Sequence, residues 1–244
     1  MPSRILIGTA GWSIPRPDKP RFPPGESLLA RYAKVLPAVE INSTFYRPHR
    51  ATTFERWAAT VPRGFRFSVK IPGAITHERR LARSASLLDT FLSEVEPLGS
   101  RLGCLLVQLP PSLDFEPRVA RAFFEALRRR FDRGVAIEPR HASWFASRAD
   151  GLLEKYEVAR VAADPSRVEG GGEPGGWRGL AYFRLHGSPR TYYSRYEDNW
   201  LGALAKKLEV LQRRRVPTWC IFDNTAHGAA TGNALSVMES LTSR

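Results

Sequence analysis

Eight short apolar runs recur along the 244-residue chain with helix-like stretches between most of them, and this alternation limits the fold more than any other feature. The runs are Ile5 to Gly8, Ala38 to Asn42, Phe65 to Ile71, Leu102 to Leu109, Val135 to Glu138, Ala159 to Ala163, Leu180 to His186 and Thr218 to Phe222. Parallel neighbours need a crossover connection, usually a helix, so strands alternating with helices imply a parallel sheet. Eight such strands fit a closed TIM-type (β/α)8 barrel, and the length lies near the ~250 residues typical of that fold. The expectation is a single barrel domain over residues 1–244.

The connections can be read one by one. Trp12 to Gly25 carries five prolines and reads as a long loop over the barrel mouth. Helices are expected over Glu26 to Leu36, Thr53 to Thr60, Ala82 to Val95, Pro117 to Phe131, Ala146 to Tyr156, Trp200 to Arg214 and Asn233 to Leu241. The second stops before Pro62 because the residue preceding proline avoids the α region, and the fourth has proline in its first turn. Between the sixth and seventh runs only Asp164 to Gly179 is available, with Gly170-Gly171-Gly172 and Pro174-Gly175-Gly176 inside it. No ordinary helix fits there, so seven outer helices and one irregular crossover are predicted. That stretch lacks the strand-turn-helix setting of a phosphate-cradling loop and reads as linker.

Composition excludes several classes. With 43% hydrophobic and 25% charged residues the chain is globular in type. It has no apolar run of the ~20 residues that a spanning helix needs, so no membrane partner is expected. The start MPSRILIGTAGW is too short in apolar residues for a signal peptide and leads into the first strand, so a cytoplasmic location is expected. Cys104 and Cys220 both lie in apolar runs and read as small core hydrophobes. The net charge of +13 would draw the chain toward phosphates, possible nucleic acid among them, although the excess of arginine over lysine is also what a GC-rich coding bias produces. Arg128 to Arg130 and Arg213 to Arg215 fall at predicted helix ends, where cations complement the helix dipole. Nothing in the sequence demands more than a monomer.

Strand periodicity then sorts side chains by face. Phe183 and Leu185 should meet the helices, which turns Tyr182, Arg184 and His186 into the barrel. By the same parity Arg66, Ser68 and Lys70 face inward, as do Glu40 and Asn42, Glu138 with Arg140, and Gln108 with Leu106 and Cys104. Unpaired charges are very costly to bury, so Glu40, Lys70, Glu138, Arg184 and His186 must pair or meet water and ligand. Internal salt bridges, Glu40 with Lys70 on the next strand for instance, would account for some of them. The group as a whole exceeds what packing needs, and it lies toward the C-terminal ends of the strands, where barrel enzymes place their chemistry.

Several blocks carry a resemblance: Gly8-Thr9-Ala10-Gly11-Trp12, Val39-Glu40-Ile41-Asn42-Ser43-Thr44-Phe45-Tyr46, Phe67 to Pro72 with Ile75-Thr76-His77, Glu138-Pro139-Arg140 with Ser143-Trp144, Tyr182 to Gly187, and Phe222-Asp223-Asn224-Thr225. In this order they resemble the widespread family called domain of unknown function 72, or YecE-like. The resemblance covers nearly the whole chain and implies a barrel of the same kind and a residue pattern, without a reaction. It coincides with the inward residues and adds Thr76, His77 and Asn224 to the expected site.

Two carboxylates among cations, with a histidine, suit general acid-base chemistry. The expectation is a hydrolase or lyase acting on a small anionic or phosphate-bearing substrate. Glu138 is its general base, His186 a proton donor, Glu40 a further catalytic carboxylate, and Lys70 and Arg184 bind the anion with Arg140. Asn42, Thr76, His77 and Asn224 would bind substrate, and Trp12, Tyr46 and Trp144 could stack on a base or sugar, although such rings are more often packing residues. No cofactor is assigned. A non-catalytic nucleotide or nucleic-acid binding module is the alternative from another class. A metal-dependent phosphoesterase built on Glu40, Glu138, His186 and Asp223 is weakened by the cations among them and by the lack of HExxH or paired-cysteine spacing. A scaffold that keeps the barrel only as structure is the third.

Overall fold

The computed structural model describes residues 5–242. Ten strands form one nearly closed, barrel-shaped sheet in an α/β fold: β1 Ile5–Ala10, β2 Ala38–Ile41, β3 Arg66–Lys70, β4 Leu102–Gln108, β5 Gly134–Glu138, β6 Val158–Arg160, β7 Ala162–Asp164, β8 Gly175–Gly176, β9 Ala181–Leu185 and β10 Thr218–Phe222. Their order is β7-β9-β10-β1-β2-β3-β4-β5-β6-β8. All pairings are parallel except that of the two-residue β8 with β6. The sixth apolar run is therefore not one regular strand. β6 pairs with β5 and β7 with β9, so a single stretch of chain reaches both ends of the ordered sheet, changing partner at Val161, whose N–H still donates to Ile137 O at 2.8 Å.

Among the described residues seven α-helices cover the sheet: α1 Leu28–Ala33, α2 Ala51–Thr60, α3 Ala85–Val95, α4 Pro117–Arg128, α5 Ser147–Lys155, α6 Asp198–Arg213 and α7 Ala229–Thr242. Where boundaries differ from the sequence reading, the causes are local. α1 starts after Ser27, whose Oγ accepts from Ala30 N–H at 3.1 Å, and ends short of Pro37. α3 begins three residues later than predicted because Arg80, Leu81 and Arg83 have φ of 49°, 69° and 48°, outside the helical region. The proline-rich first connection still makes a 3-10 turn over Arg16–Arg21, prolines being tolerated in a first turn. Asp164 to Gly179 contains no helix.

The alternating faces separate into two apolar cores. Val39, Ile41, Phe67, Val69, Val135, Ile137, Phe183 and Leu185 pack outward with helix residues such as Phe54, Phe91 and Phe124. Inside, Ala38, Cys104, Leu106, Ala136, Tyr182, Trp219 and Ile221 form a separate cluster, in which the Tyr182 and Trp219 rings stack 5.9 Å apart. Small residues make room for them: a Cβ at Gly103 would stand 2.8 Å from the Trp219 ring, and one at Gly8 only 2.1 Å from Ala38 O on the neighbouring strand. Both cysteines are buried and free. The interior is thus a packed floor, and polar side chains begin above it.

Candidate active site

Four strands deliver the charged residues of the central cluster. Glu40 lies in β2 and Glu138 ends β5, Arg184 lies in β9, and His186 and Asp223 directly follow β9 and β10. Arg184 is 1% exposed and donates from Nε to Glu40 Oε2 at 3.0 Å, from Nη2 to Glu40 Oε1 at 2.7 Å, from Nη1 to Glu138 Oε2 at 2.5 Å and from Nη2 to Asp223 Oδ2 at 3.0 Å. His186 sits between two of the same carboxylates, with Nδ1 2.9 Å from Asp223 Oδ2 and Nε2 3.1 Å from Glu138 Oε1. Arg140 approaches Glu138 Oε1 at 3.3 Å from the solvent side. Below, the Tyr182 hydroxyl lies 2.8 Å from both Glu40 Oε2 and Ser68 Oγ.

Burial alone would raise Glu138, but Arg184, His186 and Arg140 outweigh it and hold its carboxyl well below the usual range. Asp223 follows the same pattern, raised by burial and brought down further by Arg184 and His186. His186 moves the other way: burial favours neutral imidazole, yet Glu138 and Asp223 raise it above its ordinary value, so the imidazolium is favoured. The carboxylates stay ionised and share Arg184 and His186 as cations.

Lys70 is the exception. It ends β3 and is 7% exposed, yet among the described residues no carboxylate oxygen lies within 4.0 Å of its ammonium; its Nζ stands 4.0 Å from the centre of the Phe45 ring. Burial first, then repulsion from Arg184, pushes its pKa down to about 8 against the pull of Glu40, Glu138 and Asp223. The expected Glu40–Lys70 salt bridge is absent because both oxygens of Glu40 are taken by the Nε–Nη2 edge of the Arg184 guanidinium. After β3 the chain makes a π-type turn, Ala74–Glu78, that sets His77 edge-on to Phe45 at 4.8 Å. His77 is lowered by burial and by the charges of Lys70 and Arg140, which places three basic side chains in one neighbourhood.

The remaining predicted residues divide. Glu138, Arg140 and His186 line a cavity of ≈ 210 Å³ with Ser166, Arg167 and Tyr192. Asn42 follows β2, and its Oδ1 is buried without a hydrogen-bond partner. Arg184, assigned above to the substrate anion, is sealed and engaged by three carboxylates. Glu138, assigned as general base, is too strongly stabilised as a carboxylate to take a proton readily. Trp144 cannot stack on a ligand: it is 1% exposed, donates from Nε1 to Leu113 O at 3.0 Å and meets Phe115 edge-on. Thr76 is fully buried and serves His77, its Oγ1 2.9 Å from Nδ1. Asn224 is also fully buried and donates to Ser194 O and Asn233 Oδ1, tying the loop after β9 to α7. Trp12 packs on Trp57 with centroids 5.0 Å apart, and Tyr46 is 80% exposed. Sequence reasoning gave Asp223 only a conditional metal role and left Tyr182 out of the site. Both have the inward parity of their neighbours, Asp223 with Trp219 and Ile221, Tyr182 with Arg184. The proposed metal ligands do meet, but Arg184 stands among them as their cation; among the described residues no group of three or more His, Cys, Asp or Glu side chains is arranged to hold a metal.

The model of the family described as protein of unknown function DUF72 matches residues 6–244. The chain belongs to this family. It is 34% identical to UPF0759 protein YecE of Escherichia coli strain K12 over 145 residues, 58% of this chain and half the length of that relative. To UPF0759 protein YunF of Bacillus subtilis it is 23% identical, with 97% of this chain and 94% of that protein covered. Crystal structures of DUF72 proteins superpose over nearly the full length. One from Enterococcus faecalis gives a TM-score of 0.81 at 22% identity, covering 98% of this chain and 95% of that one. One from Thermotoga maritima gives 0.77 at 27% identity, covering 97% and 98%. The fold of this DUF72 chain is thus shared with its solved relatives. No helix in the described residues is long and apolar enough to cross a membrane.

Proposed function

We propose that this chain is an enzyme of the lyase or hydrolase type that takes a small anionic, phosphate- or carboxylate-bearing substrate at the C-terminal mouth of the sheet. Lys70 is the base in its neutral form and Arg140 the anion ligand. His186, a wall of the cavity, is the acid: a substrate oxygen replacing Glu138 at Nε2 would receive its proton. Glu40, Glu138, Asp223 and Arg184 hold this apparatus in place. We also read the sheet as a (β/α)8 barrel, taking β6 and β7 as one strand interrupted at Val161.

The observation that supports this reading most is the unpaired Lys70. Three carboxylates stand in the same cluster, and all are held by Arg184. Arg184 binds all three and His186 binds two of them, which leaves Lys70 with no carboxylate oxygen within 4.0 Å among the described residues. An ammonium held without an ion-pair partner is costly to bury, and a bound anion would balance it. The cavity of ≈ 210 Å³ that Arg140 and His186 line, and that Lys70 does not, suits a small molecule rather than a polymer.

Calorimetric titration with inorganic phosphate and with 2-phosphoglycolate at low ionic strength tests the reading. Binding should weaken by roughly tenfold or more in Lys70→Met and in Arg140→Ala, the scale of one charge-assisted hydrogen bond. Variants that bind both anions as the wild type does would overturn it.

A further inference from the structure

Lys70 differs from every other lysine in the chain. Of six lysines, Lys19, Lys34, Lys155, Lys206 and Lys207 are exposed and Lys70 alone is buried. It rests on an aromatic face instead of a carboxylate. Asn42, one residue beyond the Ile41–Val69 pair that joins β2 to β3, carries a buried acceptor oxygen with no donor. Across the mouth, His186 is backed by Asp223 and Glu138, a ready source of one proton.

We propose that Lys70 is a covalent nucleophile that forms an imine with a carbonyl carbon of the substrate, which makes the substrate class a small oxo acid or phosphorylated aldehyde or ketone. This deepens the proposed function and rests on its anion-accepting mouth. The neutral amine lone pair attacks the carbonyl carbon, and the carbonyl π pair moves to oxygen, which takes up a proton. The resulting carbinolamine has a hydroxyl for which Asn42 Oδ1 is an acceptor. Proton delivery by His186 expels that hydroxyl as water while the nitrogen forms the C=N bond, and the remaining N–H of the iminium returns a proton to His186. Both amine hydrogens leave with the carbonyl oxygen as one water, and no oxidant or reductant is consumed. Desolvation keeps a much larger fraction of Lys70 in the reactive neutral form near pH 7.5 than of an exposed lysine, on the order of a hundredfold.

The test is reductive trapping with cyanoborohydride near pH 7.5, read by peptide mass. Three probes are compared: glyoxylate, glycolaldehyde phosphate, and uncharged glycolaldehyde. The proposal expects one adduct per chain, on Lys70, forming roughly tenfold or more faster than on any exposed lysine with the two anionic probes and more slowly with the neutral one. Lys70→Arg loses the nucleophile, so it should show no selective adduct with any of the three probes. Label spread over the exposed lysines with Lys70 spared would overturn the imine. If 2-phosphoglycolate still binds in a manner dependent on Arg140, only the imine fails; if it does not bind either, the anion site fails with it.

Discussion

Arg184 in β9 grips Glu40 in β2 across the sheet with two hydrogen bonds, Nε to Oε2 at 3.0 Å and Nη2 to Oε1 at 2.7 Å, both groups being essentially sealed from solvent. The remaining nitrogen, Nη1, reaches Glu138, so one guanidinium ties together carboxylates from separate strands. Its planar fork fits this role, which a lysine point charge would not. The pair is a frame for the mouth, and it frees Lys70 from the neutralising partner that its neighbouring strand would otherwise supply.

Removing the clamp should cost stability before it costs chemistry. Arg184→Met leaves three carboxylates facing one another, and breaking a buried ion pair costs about 3–5 kcal/mol. Urea unfolding at pH 7.5 should show that loss, and part of it should return at pH 5 as the crowded carboxylates take up protons. An unchanged midpoint would mean that the network carries no strain between its anions.

His186 sets a pH signature of its own. Its folded pKa is raised, so the stability it contributes is full below its ordinary value of about 6.5 and is lost as pH rises through the folded value. Wild-type unfolding free energy should therefore decline over that window, and His186→Gln should flatten the decline. Glu138 and Asp223, both lowered, act in the opposite direction on the acid side: their contribution holds above about pH 4 and disappears as pH falls through their folded values.

Lys70 should trade stability against function. Its folded pKa lies below the unfolded one, so carrying the charge costs free energy at neutral pH, and that cost shrinks as pH rises from about 8 toward the unfolded value. Lys70→Met should raise the unfolding free energy at pH 7 by roughly 1–3 kcal/mol while losing anion binding. Chemical denaturation paired with phosphate calorimetry checks both halves.

Trp144 gives a control outside the mouth. It was expected at the ligand and is instead buried within the loop after β5 against Leu113 and Phe115, so Trp144→Ala should cost about 3–5 kcal/mol by the cavity it leaves. Phosphate binding per folded molecule should be unchanged.

The inward residues were legible in the sequence because strand parity is strict: once Phe183 and Leu185 face the helices, Tyr182 and Arg184 must face the interior. What parity cannot give is the partner across the barrel. Glu40 and Arg184 are 144 residues apart, and only their meeting shows that Arg184 is consumed internally and that Lys70 is left over. The sixth run misled for a related reason, since its composition reads as one strand while its two halves pair with different neighbours around Val161. Trp144, Thr76 and Asn224 belong to the family pattern, yet they lie just beneath the surface of the mouth, where a motif alone cannot separate a contact from its support.

The most direct test is the titration of the lysine amines by NMR on lysine-labelled protein, with and without phosphate. Six resonances are expected. One of them, assigned by its loss in Lys70→Met, should titrate near 8 in the free protein and move upward when phosphate binds, because a nearby anion favours the ammonium. If all six titrate together near the ordinary value of about 10.4 and none responds to phosphate, Lys70 is not an unpaired cation in an anion-accepting mouth, and the account is wrong.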